Sequence, residues 1–151
     1  RLVLCYTGKP RQHGINNWEV FKRHIDGDKR VARNLEKISG IAREMRAAIE
    51  RNAWSDAARL MREEWNFRHR NLRTISTSMI DKVIRSTRIQ GAMAGKVCGA
   101  GGGGCVTLLI DPDARARVEC AVLDAGAKLL PFQIDREGVS LKTDSGSFRS
   151  P

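Results

Sequence analysis

Lys96-Val97-Cys98-Gly99-Ala100-Gly101-Gly102-Gly103-Gly104-Cys105-Val106-Thr107-Leu108-Leu109-Ile110 is the stretch that decides the fold. Five of the six residues from Gly99 to Gly104 are glycine, and an apolar run follows at once. Glycine loses the most backbone entropy on folding and packs nothing, so such a run has a cause. Two causes fit the spacing equally. One is a tight, strained turn between two strands. The other is a loop whose backbone lies against another group, typically a phosphate or a second glycine-rich loop.

The flanks exclude the two common nucleotide motifs. Gly99, Gly101 and Gly104 match G-x-G-x-x-G, but that fingerprint needs a helix opening directly after the loop. Here Cys105 to Ile110 carries Val106 and Thr107 near its start and Ile110 at its end, the composition of a strand. A P-loop ends in Gly-Lys-Ser/Thr, whereas this loop ends in Gly-Cys-Val, and Lys96 precedes the glycines. The pattern is strand, glycine loop, strand.

The chain has 151 residues, enough for one domain with a sizeable core. It opens at Arg1 and runs straight into the strand-like Leu2-Val3-Leu4-Cys5-Tyr6, the expectation for a piece of a longer protein. No signal peptide and no membrane-length apolar segment is present, and a cytoplasmic location is expected. Cys5, Cys98, Cys105 and Cys120 sit in apolar segments without a C-x-x-C pair. They are expected to be buried free thiols rather than a zinc site or a disulfide framework. The net charge is +10. The basic residues alternate with acids along helices and form no basic-aromatic stripe, which favours a solvated basic surface over a nucleic-acid face.

Taken in order, Leu2 to Tyr6 predicts a central strand, broken by Thr7-Gly8-Lys9-Pro10. Arg11 to Trp18 is polar and is expected to be irregular, with Arg11 and His13 as candidate ligands at a strand end. Val31, Leu35, Ile38, Ala42, Met45 and Ile49 predict one face of a long helix starting near Asp28, with a mild bend at Gly40. Asn52-Ala53-Trp54 ends it. Ser55-Asp56 is expected to cap a second helix, buried through Ala57, Met61, Trp65 and Leu72, with Glu64 and Arg68 as a surface pair. A third helix begins at Ser76-Thr77-Ser78, with Ser78 and Asp81 in capping-box spacing. Ile80, Val83, Ile84 and Thr87 form its stripe, and it ends at Gln90-Gly91. Gly95 is expected to keep the approach to Lys96 flexible. Asp111-Pro112-Asp113 starts a further helix, buried through Val118, Val122 and Leu123 and closed by Gly126. A strand over residues 129–134 and its hairpin partner over 139–142 complete the domain, and 143–151 is a polar tail expected to be disordered.

The predicted fold class is α+β: an antiparallel, ferredoxin-like sheet with helices on one face and added helices. The second and third helices carry enough apolar surface for either a core or a homodimer contact.

Gly91-Ala92-Met93-Ala94-Gly95-Lys96 running into the glycine loop resembles the third conserved motif of the GHMP small-molecule kinases, a superfamily that includes galactokinase, homoserine kinase and mevalonate kinase. Tyr6-Thr7-Gly8 with Arg11, Ser76 with Ile80-Asp81, and Leu130-Pro131-Phe132 with Gly138 resemble the C-terminal domain of its sugar-kinase and heptose-phosphate-kinase branch. The similarity covers nearly all of residues 1–142, with D-glycero-D-manno-heptose-7-phosphate kinase as the nearest branch and fucokinase and galactokinase further off. His13 departs from that branch, which often has Ser after the Arg.

The resemblance implies the C-terminal half of a two-domain, ATP-dependent sugar or sugar-phosphate kinase. An N-terminal domain outside this sequence would be its partner, carrying the phosphate loop and most Mg2+ contacts. It implies that Lys96, Gly99, Ala100, Gly101, Gly102, Gly103 and Gly104 shape the ATP phosphate site, with Thr7 and Arg11 toward the sugar substrate. No catalytic residue is implied in this half, which alone would be inactive. Bulk at Gly101 or Gly102 is expected to damage the site more than the fold. The competing class is a stand-alone ferredoxin-like binding or regulatory module, RNA-binding in one form. Against RNA, Tyr6 and Phe132 are isolated and supply no stacking pair.

Overall fold

The computed structural model describes residues 1–10 and 15–138, with the side chains of Ile15 and Asn16 left aside. Strand β1 (Leu2–Tyr6) runs between β3 (Cys105–Ile110) and β4 (Lys128–Leu130), and β2 (Ala92–Val97) pairs with the far side of β3. The order is β2-β3-β1-β4 and every pair is antiparallel. This is the ferredoxin-like arrangement expected. Val3 faces Leu108 and Cys5 faces Val106, while Lys96 faces Thr107.

Alternation along the strands sends side chains to two faces. Val3, Cys5, Val97, Val106, Leu108 and Ile110 point to one face. There they meet Ile80 and Val83 of α4 (Ser78–Ile89) and Val118 and Val122 of α5 (Arg115–Asp124). Leu2, Ala94 and Leu109 point to the other, where they meet Leu60 and Met61 of α3 (Trp54–Asn71) and Ile41 of α2 (Lys29–Glu50). The added helices therefore cover the second face of the sheet.

Gly95 is not a flexible approach but part of β2. A Cβ there would lie 2.8 Å from Leu108 Cδ2 and 3.2 Å from Ile84 Cγ1, so glycine lets α4 pack close to the sheet.

Helices α2 and α3 form a hairpin turned at Asn52, whose φ of 55° suits asparagine. The α2 stripe is rotated from the predicted one. Val31, Asn34, Ile41 and Ala48 are buried, whereas Ala42 and Ile49 are exposed. Two contacts account for the rotation. Ala57 and Ala58 offer a small-residue surface against Ile41 and Ala48. At the open end, Asn34 Nδ2 donates to Asn71 Oδ1 at 2.7 Å, drawing a polar residue into the core. Such a buried bond adds about 1 kcal/mol net and costs more if one partner is left alone.

Other expectations shift by a residue or more. Residues from Ile15 are not irregular but form α1 (Ile15–Ile25). Its polar sequence hid it, because little of it is buried and Trp18, Phe21 and Ile25 remain exposed. Ser55 is not the cap of α3; the position falls on Ala53, with no side-chain hydrogen bond. Thr77 rather than Ser78 caps α4, accepting from the Ile80 N–H. Asp111 and Pro112 open a 3-10 turn before α5, and Gly126 closes that helix at φ 91°. Leu123 is exposed. Strand β4 stops at Leu130, since Pro131 lacks the N–H that a ladder needs. The hairpin partner at 139–142 and the tail lie outside the described residues. Among the described residues, no helix is long and apolar enough to cross a membrane.

Asp28 fixes the start of α2 and the seat of α1 together. Its Oδ1 accepts from the Arg30 and Val31 N–H groups, and its Oδ2 accepts from Arg23 at 2.6 Å. The Arg23 guanidinium, then the Val31 amide, hold its carboxyl down from 3.8 to about 2. The stabilisation is therefore full above pH ~4 and is lost as pH falls through about 2. Asp28→Asn keeps the capping oxygen and removes the charge. Its melting temperature should lie below wild type at pH 7, and the gap should close toward pH 2, as read by thermal denaturation across pH.

Candidate functional site

The ends of β2 and β3 deliver residues 98–104 to the edge of the sheet where β1 also ends. The Cys98 N–H donates to Cys105 O at 2.8 Å and closes the hairpin. Gly99, Gly101, Gly102, Gly103 and Gly104 have φ values of 72°, 76°, 74°, 143° and 79°. A side chain at such angles costs about 1–2 kcal/mol per residue.

Two other backbone segments clasp this loop from behind. One is the 3-10 turn Arg73–Ile75, where Ile75 O accepts from the Gly102 N–H at 2.9 Å. The other is the turn after β1. There the Gly104 N–H donates to Lys9 O at 2.8 Å, and the Thr7 N–H and hydroxyl both donate to Gly104 O at 2.9 Å. The approach is close enough to exclude side chains. A Cβ at Gly101 would fall 2.5 Å from Ile75 O and against Ile75 Cγ1, and one at Gly103 would fall 2.8 Å from Pro10 O. The open choice between a strained turn and a closely packed loop resolves into both, with this chain's own backbone as the packed group.

One expectation changes as a result. Bulk at Gly101 strikes the scaffold first, and Gly102, at φ 74°, cannot take a side chain without strain. Damage to the fold accompanies damage to the site.

The clasp leaves two donors over. Gly102 and Gly104 donate inward, but the N–H groups of the buried Gly101 and Gly103 make no hydrogen bond among the described residues. Buried backbone donors are almost always paired, so two in one loop mark a place for an acceptor.

Cations flank the loop. Lys96 Nζ lies 2.5 Å from Glu64 Oε2, and Arg68 Nε lies 3.8 Å from Glu64 Oε1. Arg68 also donates to Gly99 O at 2.8 Å. The Glu64 side chain is only 15 % exposed, so it is not half of a surface pair but the anion that holds Lys96 and Arg68 beside the loop. Sequence spacing found Glu64 and Arg68 as neighbours and missed that Lys96 pairs with the same carboxylate. A lysine inside an otherwise apolar strand was the available signal, since such a charge needs a counter-ion.

Thr7 is 3 % exposed, and its hydroxyl proton is engaged by Gly104 O, so here it latches the loop. Arg11 and His13 lie outside the described residues. A cleft of about 350 Å3 opens beside Ala100 and Arg68, walled by Phe21, Leu35, Ile38 and Leu72. Sequence patterns did not foresee it, because α1 supplies one wall. Among the described residues, no three His, Cys, Asp or Glu side chains come together to hold a metal ion.

None of the four cysteines forms a disulfide, and only Cys5 is fully buried. Burial pushes its thiol up to about 11, which leaves it inert. Cys120, expected to be buried, is exposed on the outer side of α5.

The family described as "GHMP kinases C terminal" matches residues 45–128, more than half of the chain and all of the glycine hairpin. The chain belongs to the GHMP kinase C-terminal family. It is 24 % identical over 139 residues to a D-glycero-alpha-D-manno-heptose 7-phosphate kinase of Campylobacter jejuni, covering 92 % of this chain and 40 % of that protein. It is 34 % identical over 68 residues to a mevalonate kinase of Pyrococcus furiosus, covering 45 % of this chain and 20 % of that protein. The crystal structure of the Lin0012 protein from Listeria innocua superposes on 90 % of this chain with a TM-score of 0.80 at 20 % identity, over 39 % of its own length. The chain thus spans at most about two-fifths of these proteins.

Two stability outcomes follow from the geometry. Gly101→Ala should cost about 2 kcal/mol or more, from a positive φ and a clash with Ile75, measured by urea denaturation. Lys96→Met should also destabilise, because Glu64 then stays buried with Arg68 as its remaining ion-pair partner. Adding Glu64→Gln to Lys96→Met should recover about 1–2 kcal/mol in a double-mutant cycle.

Proposed function

We propose that this chain is the C-terminal half of an ATP-dependent kinase for a sugar or sugar phosphate, and that its glycine loop forms one wall of the site for the ATP phosphates. The observation that carries this is the pair of unpartnered donors at Gly101 and Gly103, in a loop held rigid from behind and flanked by Lys96 and Arg68. Family membership and the heptose 7-phosphate kinase relative support the reaction class.

The parts suit phosphoryl transfer. That reaction is accelerated mainly by positioning and by stabilising charge on phosphate oxygens. A loop without side chains lets a phosphate chain approach the backbone closely, and its N–H groups cost no reorganisation when they bind. Lys96 and Arg68 would add positive charge near the same oxygens. Glu64, the acid beside the loop, is already paired with two cations. Mg2+, and the second wall of the cleft, would come from an N-terminal domain of the longer protein. The chain alone would therefore transfer no phosphate.

The test is an ADP-release assay on the product of the whole reading frame, against a panel of sugars and sugar phosphates. Turnover is expected from the longer protein and none from residues 1–151 alone. Within the longer protein carrying Glu64→Gln, a further Lys96→Met should lower kcat/KM at least about tenfold, the loss of one charge-assisted contact. No turnover with any member of the panel would overturn the sugar-kinase proposal, and unchanged kcat/KM would remove Lys96 from the site.

A further inference from the structure

Four arginines converge on a second cleft, of about 620 Å3, on the far side of Asn71 and Leu72. Arg23 comes from α1, Arg30 from the first turn of α2, Arg70 from the last turn of α3, and Arg73 from the 3-10 turn that buttresses the glycine loop. Arg23 is tied to Asp28. Arg30, Arg70 and Arg73 make no ion pair among the described residues, although elsewhere in the chain Arg46, Arg59 and Arg115 each hold a glutamate. Glu19 is the one carboxylate on the cleft wall, so the wall is strongly positive.

A second observation points the same way. Asn71 lines the same wall, and its Oδ1 accepts from Asn34 Nδ2 at 2.7 Å, which fixes the orientation of its amide. The amide nitrogen makes no hydrogen bond among the described residues. An oriented amide donor beside three guanidiniums without a carboxylate partner, one of them (Arg70) braced over the Phe67 ring, is a set of donors suited to an anion.

We propose that this cleft binds a phosphate monoester borne by a small molecule. Donors from three separate backbone segments surround a tetrahedral group, whereas a carboxylate is satisfied by a single planar guanidinium fork. Asn71 and Leu72 also line the apolar cleft that ends at Ala100 of the glycine loop. The two clefts together fit an acceptor with a phosphate at one end and its reacting hydroxyl near the loop. This second step rests on the kinase proposal; the anion site itself does not.

The test needs no nucleotide. Inorganic phosphate, a hexose 6-phosphate and the free hexose are titrated into the isotope-labelled protein at constant ionic strength. The Nε–Hε resonances of Arg30, Arg70 and Arg73 should move with both phosphates and not with the hexose, while those of Arg46 and Arg59 stay in place. Arg70→Gln with Arg73→Gln should weaken phosphate binding at least tenfold, and the distant Lys128→Gln should leave it unchanged. Equal binding of the free hexose, equal response of Arg46 and Arg59, or an equal loss in Lys128→Gln would overturn the site. The fate of the kinase proposal is read separately. If the longer protein turns over a sugar phosphate with the same KM after both arginine substitutions, the cleft's role in holding the acceptor falls and the kinase stands. If phosphate binds as described and no turnover is found, the kinase falls and the anion site stands.

Discussion

The rest of the structure depends on the contact between the glycine loop and the carbonyls of Ile75 and Lys9. Through it, three chain segments far apart in sequence are drawn to one end of the sheet with no side chain between their backbones. The contact fixes where α3 must end and where α4 must begin, because the 3-10 turn joining them is the same turn that holds Gly102. It fixes the exit of β1, because Thr7 and Lys9 hold Gly104. Positive φ angles at five glycines are tolerable only where no Cβ has to be placed, and the close approach at Gly101 and Gly103 uses the same freedom twice.

Charge is arranged around that contact by burial. Glu64, largely enclosed between α3 and β2, is an anion that would be costly alone and is held by Lys96 and Arg68. The pair of cations is thereby pinned at the loop and does not wander through solvent as surface lysines and arginines do. The same economy of fixed donors recurs at Asn71, whose carbonyl end is held by Asn34. Helix α1 completes both clefts but is seated chiefly through Arg23, which reaches Asp28 and the Asn71 carbonyl at once.

Much of this was legible in the sequence, and what was not has a physical cause. The glycine hairpin, the antiparallel sheet and four of the five helices among the described residues were carried by strong local signals: an apolar run after glycines, a 3.6-residue period, and a Gly126 stop. The rotation of the α2 stripe was not, because it depends on the small Ala57 and Ala58 surface opposite and on an asparagine pair across 37 residues. Helix α1 was missed because its apolar residues, Trp18, Phe21 and Ile25, face outward in this chain. Of the site, the glycine loop and Lys96 could be found by pattern. Glu64 could not, because its partner comes from a strand, and side-chain spacing along one helix says nothing about what a strand brings to it.

The central claim is that the loop is held through Gly102 and Gly104 so that Gly101 and Gly103 present their N–H groups to a phosphate chain. The most direct measurement follows the amide resonances of the glycine-labelled longer protein as ATP and Mg2+ are added. The account predicts that Gly101 and Gly103 shift strongly downfield, that Gly102 and Gly104 move little, and that Gly27 and Gly126 do not respond. Nucleotide binding that leaves Gly101 and Gly103 in place, or that moves all four loop amides alike, would contradict it.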